Sequence, residues 1–257
     1  MQLRRAAALF CLFATAGLAQ AEWQIKSAER EASPDESIEH WTTVVEDSEM
    51  EAQASLHFAV FETRAATLRV IDQPNTPRSD LSEVMAGTKA LAGVNGGYFD
   101  PEDAPVGLMV SQGRVLSPLR KAKLLSGVLL ATGSRVDVVR AAHFSVSHKI
   151  KSALQCGPVL VERATPVAGL NDTRLARRTF AAVDGNGRAA LGVCSAVSLA
   201  QLSRLLCLTN VAGKMKIARA LNLDGGSSSA FWFAGKDGIA SFPEQKTVRD
   251  FVAIVPR

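Results

Sequence analysis

The chain has 257 residues, of which 47% are apolar and 21% charged, and its formal net charge is +4. Two arginines, Arg4 and Arg5, lie in the first 21 residues, where no acidic residue occurs. The remaining residues therefore contain 27 basic and 25 acidic side chains. This balance offers no clustered basic face, and nucleic acid is not an expected partner. The apolar content suffices for one large core, and we expect one domain.

The first 21 residues have the pattern of an export leader. A basic start is followed by an apolar run over residues 6–18 and by the small-residue end Ala19-Gln20-Ala21. This order predicts a signal peptide cleaved after Ala21 and a periplasmic or secreted protein. The apolar run is shorter than the roughly 20 residues that span a bilayer, and no comparable run follows, so we expect no membrane span. Cys11 lacks the preceding small residues of a lipoprotein site.

Residues 22–54 are predicted to form an N-terminal lead-in to a domain at residues 55–257. The part over residues 28–50 is acidic and polar, with few apolar residues. Such a composition favours a loosely held segment, with a strand near residues 41–45.

Short apolar or alternating runs begin at Leu56 and predict strands, because each is bounded by Gly, Pro, Asn or Asp. The runs are LHFAVF, TLRVID, VGLMVS, KLLSGVLL, RVDVVR, GPVLVE, RTFAAV, RAALGV and FVAIVP. Gly and Asn tolerate positive φ, so residues 112–113 and 184–187 are expected to be hairpin turns.

Two helices are predicted from capping boxes that begin at Asp80 and Ser198. The second continues into an apolar stripe at helical spacing, formed by Leu199, Leu202, Leu205 and Leu206. Many strands with few helices predict an α+β fold: a single domain with a mixed β-sheet core.

Three cysteines follow the leader: Cys156, Cys194 and Cys207. None has the spacing of a zinc site, and an exported chain meets an oxidising compartment, so a disulfide is expected, with Cys194–Cys207 as the natural pair. The alternative is that all three are buried free thiols.

Two glycine-rich stretches interrupt the strands. In GVNGGYFDPE, adjacent glycines follow Asn95 and would let the backbone approach a ligand, although a tight turn also explains them. In LNLDGGSSS, Asp224 precedes two glycines and three serines, whose N–H and hydroxyl groups could hold an anionic oxygen. Neither stretch has the ending of a phosphate-binding P-loop or a serine-hydrolase elbow. No His-based triad or metal site is expected, since no stretch contains His40, His57, His143 or His148.

Together, these motifs resemble the phosphodiester glycosidase family. NGGYF, Gly157-Pro158, Arg178-Thr179 leading to Asp184-Gly185, the capped helix and LNLDGGSSS occur in that family's order and approximate spacing. The resemblance covers roughly residues 55–257. Two departures are visible: Ser227 stands where a third glycine is usual, and Phe180-Ala181-Ala182 replaces a smaller, glycine-containing run.

The resemblance implies hydrolysis of a sugar-1-phosphodiester at its glycosidic bond, with a carboxylate as base or nucleophile. It implies Asp224 as the leading carboxylate, Asp184 as the second and Asp100 as the third. Arg178 would clamp the phosphate in a forked geometry.

The remaining implied site residues would orient or contact the sugar or phosphate. They are Asn95, Gly96, Gly97, Thr179, Asn222, Gly225, Gly226 and Ser228. No cofactor is required. A divalent cation held by Asp224 and backbone carbonyls is compatible with the sequence, but no ligand spacing demands it.

The expected partner is therefore a carbohydrate or phosphoglycan substrate. The rival hypothesis is an exported binding or matrix protein that holds polysaccharide or phosphoglycan in the same cleft without cleaving it, because fold alone does not establish catalysis.

Overall fold

The computed structural model describes residues 23–257, so the predicted leader lies outside the described residues. Two α-helices occur among them, α1 (Leu81–Gly87) and α2 (Leu199–Leu205). The strands are β1 (Gln24–Ala32), β2 (Ile38–Asp47), β3 (Ala52–Glu62), β4 (Ala66–Asp72), β5 (Ala92–Asn95), β6 (Met109–Ser111), β7 (Arg114–Ser117), β8 (Gly127–Thr132), β9 (Val136–Arg140), β10 (Ile150–Cys156), β11 (Val159–Glu162), β12 (Thr165–Pro166), β13 (Ala176–Val183), β14 (Arg188–Val197), β15 (Arg219–Asn222), β16 (Phe231–Ala234), β17 (Ile239–Phe242) and β18 (Asp250–Pro256).

The strands form three sheets. The largest has eight strands in the order β1-β2-β3-β14-β13-β15-β11-β12, and the other two have five each, β7-β6-β10-β8-β9 and β17-β16-β5-β18-β4. The paired strands of these sheets run antiparallel, for example β13 with β14 and β18 with β5. The expected α+β fold with a β-sheet core and few helices is confirmed.

The eight-stranded sheet is buried on both faces near its centre. On one face, side chains from all three sheets pack together, including Phe61, Val94 and Leu129. On the other face, Phe58 and Phe180 pack with Leu202 of α2. Because both faces are apolar, the central strands read as continuous apolar runs, which explains the strand prediction for β3, β13 and β14.

The prediction of a loosely held segment over residues 28–50 is wrong. β1 and β2 occupy most of the lead-in; β1 pairs with β2, and β2 pairs with β3, at one edge of the eight-stranded sheet. Ile38 and Val45 are fully buried there, although charged residues surround them in sequence. A few apolar side chains on the inner face hold this segment, and the strand expected near residues 41–45 lies within β2.

Local signals for helices and turns are confirmed. Asp80 accepts a hydrogen bond from the amide of Glu83, and Ser198 forms a complete capping box with Gln201. Residues 184–187 join β13 to β14, and residues 112–113 join β6 to β7.

The expected Cys194–Cys207 disulfide is wrong, because the structure has Cys156, Cys194 and Cys207 as free thiols. Cys156 and Cys194 are buried and Cys207 is half-buried, so all three act as small apolar side chains. Within residues 23–257, no helix has the length and apolar character needed to cross a membrane.

Candidate active site

Asn95 joins three distant parts of the chain at the end of β5. Its side-chain amide nitrogen donates to the carbonyl oxygen of Asp224 at 2.8 Å. Its side-chain oxygen accepts from Thr179 Oγ1 at 2.7 Å and from the amide of Ala230 at 3.1 Å. Asn95 is completely buried and its amide group is engaged within the protein. It therefore positions the Asp224 segment and does not contact a substrate.

Asp224 follows β15 and is held at several points. Its amide donates to the carbonyl of Gly96 at 3.0 Å, and its Oδ1 accepts from the amide of Gly225 at 2.9 Å. Burial raises the pKa of Asp224, while the nearby Ser228 hydroxyl, the Gly225 amide and the positive charge of Lys246 oppose that shift. The side chain is half-buried, so it is a rigid carboxylate that solvent or a ligand can reach.

The two positions after Asp224 require glycine for different structural reasons. A Cβ atom on Gly225 would lie 2.9 Å from the carbonyl oxygen of Arg177, so a side chain does not fit there. Gly226 has a φ of 66°, in the left-handed region that glycine adopts without strain. The 3-10 turn Gly226–Ser228 follows, and the Ser228 hydroxyl is buried with no hydrogen-bond partner among the described residues.

Asp250, at the start of β18, is a second carboxylate of the site. Its Oδ1 accepts from the amide of Gly97 at 3.0 Å, and its carbonyl accepts from the amide of Gly96 at 2.9 Å. Its side chain is 1% exposed. Burial raises the pKa of Asp250 to about 7, with further contributions from the negative charges of Asp72 and Asp224. The Gly96–Gly97 segment thus lies between the two carboxylates.

Polar contacts next to the site fix the end of β15. Tyr98, the one tyrosine of the chain, donates to the carbonyl of Gly157 at 2.6 Å. Asn222 donates from its amide nitrogen to the Tyr98 hydroxyl at 3.1 Å and to the same Gly157 carbonyl at 3.0 Å. Tyr98, Asn222 and the Gly157 carbonyl are hydrogen-bonded to one another, so Asn222 stabilises the end of β15 next to the site. Burial raises the pKa of Tyr98 far above its ordinary value, which keeps it neutral.

A positive charge lies on the solvent side of the site. The Lys246 ammonium lies 4.9 Å from the centroid of the Phe99 ring. Lys246 is exposed, and its charge lowers the pKa of Asp224. Lys246 is therefore the cation that helps to keep the carboxylate ionised.

Arg178, which was predicted to clamp a phosphate, forms its hydrogen bonds within the protein. Its Nε donates to the carbonyl of Val197 at 2.9 Å, and its terminal nitrogen donates to the carbonyl of Arg174 at 2.6 Å. Successive side chains of a strand point to opposite faces, so Arg178 lies opposite Thr179 and away from Asn95. Its neighbour Arg177 instead contacts the Asp224 segment, with Nε 3.2 Å from the carbonyl oxygen of Gly226.

Asp184 and Asp100, predicted as the second and third site carboxylates, accept hydrogen bonds in local turns. Asp184 accepts from the amides of Asn186 and Arg188 and closes the β13–β14 turn. That turn is five residues along β13 from Thr179, a distance of roughly 16 Å at about 3.3 Å per residue. Asp100 accepts from the amide of Ala104 at 2.7 Å and stabilises its own loop. Both carboxylates are engaged in local turns.

The structure brings most of the other predicted site residues together around Asn95 and Asp224. They are Gly96, Gly97, Thr179, Asn222, Gly225, Gly226 and Ser228. No group of three or more His, Cys, Asp or Glu side chains within residues 23–257 is arranged to hold a metal ion.

Sequence reasoning missed four residues of this region: Tyr98, Arg177, Lys246 and Asp250. Tyr98 lies inside the NGGYF motif and could have been chosen as the only tyrosine of the chain. Asp250 directly precedes an apolar strand, which is an unusual position for an acid, although nothing in the sequence indicates its neighbours. Lys246 carries no sequence signal that we can identify.

Known proteins resemble this chain in sequence and in fold. The phosphodiester glycosidase family profile matches residues 88–255, roughly two thirds of the chain. The catalytic domain of zebrafish N-acetylglucosamine-1-phosphodiester alpha-N-acetylglucosaminidase has a similar fold, with a TM-score of 0.61 and 16% identity over 92% of this chain and 83% of that one. A hypothetical protein from Synechocystis also has a TM-score of 0.61, with 15% identity over 86% of this chain and 62% of its own.

A relative detected by sequence is the uncharacterized protein YigE of Escherichia coli K12. It is 30% identical over 89 residues, which cover 32% of this chain and 35% of the relative. The match therefore spans about a third of each protein.

Proposed function

This chain belongs to the phosphodiester glycosidase family, and we propose that it hydrolyses the glycosidic bond of a sugar-1-phosphodiester in the cell envelope. An N-acetylglucosamine-type sugar is the first substrate to test, because the zebrafish protein of similar fold is named for that activity. The sugar and the aglycone are part of the proposal, since similarity at this identity indicates fold alone.

The observation that carries the proposal is the position of Asp224. It is a half-buried carboxylate fixed by Asn95, Gly96 and Gly225, at the centre of the two glycine-rich family motifs. A turn or cap aspartate does not need support from a distant segment of the chain, and here Asn95 and Gly96 at the end of β5 fix the backbone of Asp224. A carboxylate that acts on a reacting carbon does need such rigid placement, since misplacement by about 1 Å can cost a hundredfold in rate.

The proposed chemistry follows from the bond that breaks. The bond between the anomeric carbon and the phosphate oxygen breaks with the electron pair leaving on the phosphate monoester, while the sugar passes through an oxocarbenium-like state. Asp224 either attacks the anomeric carbon or removes a proton from the attacking water. The water oxygen ends on the sugar in both cases. A phosphate leaving group needs less acid assistance than an alcohol, so one accessible carboxylate suffices.

Asp250 supports this chemistry without touching the substrate. It is buried behind Gly96 and Gly97, whose backbone also accepts from the amide of Asp224. Its raised pKa means that it holds a proton at mildly acidic pH, so the site avoids two adjacent negative charges there. Asp250 is therefore a positioning residue in the proposed mechanism.

The test is turnover of a labelled sugar-1-phosphodiester by the purified protein, with the released sugar and phosphate monoester quantified. We expect release of both products in equal amounts, abolished in Asp224→Asn. The configuration of the released sugar distinguishes the nucleophile from the base, since a covalent intermediate retains it. Direct binding of polysaccharide or phosphoglycan without any turnover would instead favour the exported binding or matrix protein.

The proposed location is the periplasm or the exterior, reached after removal of residues 1–21. The support is the leader-like pattern that ends at Ala21. Fractionation of cells that express the full chain tests this location, and we expect the processed protein in the periplasmic or extracellular fraction.

A further inference from the structure

A cavity of about 170 Å³ lies beside the turn that carries Asp224. Its walls come from β3, β13, β14, the segment after Gly226–Ser228 and the end of β17. We call it the Arg177 cavity; it is lined by Ser55, His57, Arg177, Val193, Cys194, Ser195, Ser229, Ala230 and Phe242. At about 30 Å³ per water molecule, its volume equals roughly six waters, which is enough for a tetrahedral phosphate group.

The Arg177 guanidinium has unused hydrogen-bonding capacity. Its Nε donates to the carbonyl of Gly226 at 3.2 Å, but one terminal nitrogen is buried and has no partner among the described residues. Arg177 forms no ion pair within residues 23–257, and no acidic residue lines the cavity. A buried donor without a partner is unfavourable, so this nitrogen is available to an anionic ligand.

A second unpartnered group faces the same cavity. Ser229 is 3% exposed, lines the cavity, and its hydroxyl has no hydrogen-bond partner among the described residues. His57 also lines it, and its Nδ1 is engaged 3.1 Å from His40 Nε2, which leaves its Nε2 unused in that contact. Burial lowers the pKa of His57 to about 4, so the ring is neutral at pH 7 and the charge of the cavity comes from Arg177.

We propose that the Arg177 cavity is the phosphate subsite of the substrate, with Arg177 and Ser229 as donors to the phosphate oxygens. A guanidinium with hydroxyl donors and no competing carboxylate is the donor set that selects an oxyanion, and its forked geometry fits phosphate. The cavity is joined to Asp224 by the segment that follows this residue, since Arg177 binds the carbonyl of Gly226 and Ser229 lines the cavity. The role as a substrate subsite rests on the proposed function; the binding of phosphate does not.

The test uses isothermal titration of the purified protein with inorganic phosphate, which needs no turnover. We expect wild-type protein to bind phosphate and Arg177→Gln to bind at least about tenfold more weakly, as for loss of a charge-assisted hydrogen-bond pair. Arg177→Lys keeps the charge but loses the fork, and we expect intermediate affinity. Arg114→Gln, an exposed arginine on β7, is the matched control and should bind as wild type.

Ser229→Ala is the second variant, in case Arg177→Gln folds poorly. Its hydroxyl has no partner, so its removal should leave the midpoint of thermal unfolding unchanged or raised, while phosphate binding weakens by about threefold. In the turnover assay, inorganic phosphate should raise the apparent KM for the sugar-1-phosphodiester without changing kcat, and Arg177→Gln should raise KM more than it lowers kcat.

Three outcomes would overturn the phosphate subsite: no phosphate binding by wild-type protein, equal binding by wild type and Arg177→Gln, or binding that does not compete with the substrate. Arg177-dependent phosphate binding by a protein that turns over no sugar-1-phosphodiester would support the cavity as a phosphate site and count against the proposed function alone.

Discussion

The side-chain amide of Asn95 donates a 2.8 Å hydrogen bond to the main-chain carbonyl of Asp224, across 129 positions of sequence. The bond fixes the backbone of Asp224 and leaves its carboxylate free for chemistry. The two glycine-rich stretches are thus one structural unit, in which the first orients the second.

Replacement of Asp224 by Asn should lower turnover by at least about a hundredfold, equivalent to roughly 2.7 kcal/mol of activation free energy. The carboxamide keeps the oxygen that accepts from the Gly225 amide, so the midpoint of thermal unfolding should change little. Asp184→Asn is the matched control, because Asp184 lies in the β13–β14 turn, and it should retain turnover. Near-normal turnover by a well-folded Asp224→Asn protein would remove Asp224 from the mechanism.

Replacement of Asn95 by Ala should destabilise the fold as well as reduce turnover. The change leaves the Asp224 carbonyl, the Thr179 hydroxyl and the Ala230 amide without their partner, and we expect a loss of at least about 2 kcal/mol in the free energy of unfolding. Chemical denaturation measures it, and Asn186→Ala at an exposed turn is the control. Unchanged stability in Asn95→Ala would show that water replaces these hydrogen bonds.

Asp250 should make the protein less stable as the pH rises. Its pKa in the folded protein, about 7, lies above the ordinary value of 3.8. The contribution of Asp250 to the free energy of unfolding is therefore fully present below pH 3.8 and is lost as the pH rises through about 7. Asp250→Asn should remove this loss and raise the free energy of unfolding above pH 7 by up to a few kcal/mol. Denaturation across this pH range measures it, with the exposed Asp237→Asn as control. If the free energy of unfolding of Asp250→Asn depends on pH as it does in the wild type, Asp250 is not the group that lowers stability above pH 7.

Lys246 should set the acid limb of the pH–rate profile. The limb reports protonation of Asp224, whose pKa burial raises and Lys246 lowers. Lys246→Ala should therefore move the acid limb of kcat/KM to higher pH, more at low than at high ionic strength because the lysine is exposed. Lys151→Ala, an exposed lysine on β10, serves as control. If the acid limb does not move in Lys246→Ala, the pKa of a group other than Asp224 determines it.

Mass spectrometry of exported protein should show a chain that starts at Glu22 and carries three free thiols. Cys207 should react with an alkylating reagent before Cys156 and Cys194, because it is half-buried and they are buried. Burial raises the pKa of Cys207 to about 11, so even this reaction should be slow near neutral pH. Detection of a disulfide in non-reduced material would contradict the free thiols, and a retained leader would contradict the export prediction.

Much of the site could be predicted because its residues are chemically unusual for strand ends. Adjacent glycines after Asn95 and after Asp224 break apolar runs where a strand would otherwise continue, and both stretches lie together in the structure. The turns and helix caps were predictable for a similar reason, since Asp80 and Ser198 act on backbone groups within a few residues.

The choice between Arg177 and Arg178 was not predictable. Adjacent residues of a strand face opposite sides, and a strand that is apolar on both faces gives no indication of which side meets the site. The turn at Asp184 was predictable, but its distance from Thr179 along β13 was not, because that distance depends on the length of the strand. The position of Asp250 depends on the pairing of β18 with β5, which is a contact between distant segments.

The place of β18 between β4 and β5 also constrains how the protein is made. Of the strands described, β18 is synthesised last, yet it is a central strand of its sheet and supplies Asp250. The sheet cannot close before β18 has been synthesised, since β18 bridges β4 and β5. Folding of the site therefore depends on contacts of high sequence separation, which form slowly. A chain whose sheet is still open can thread through a translocation channel, so this topology is compatible with the proposed export.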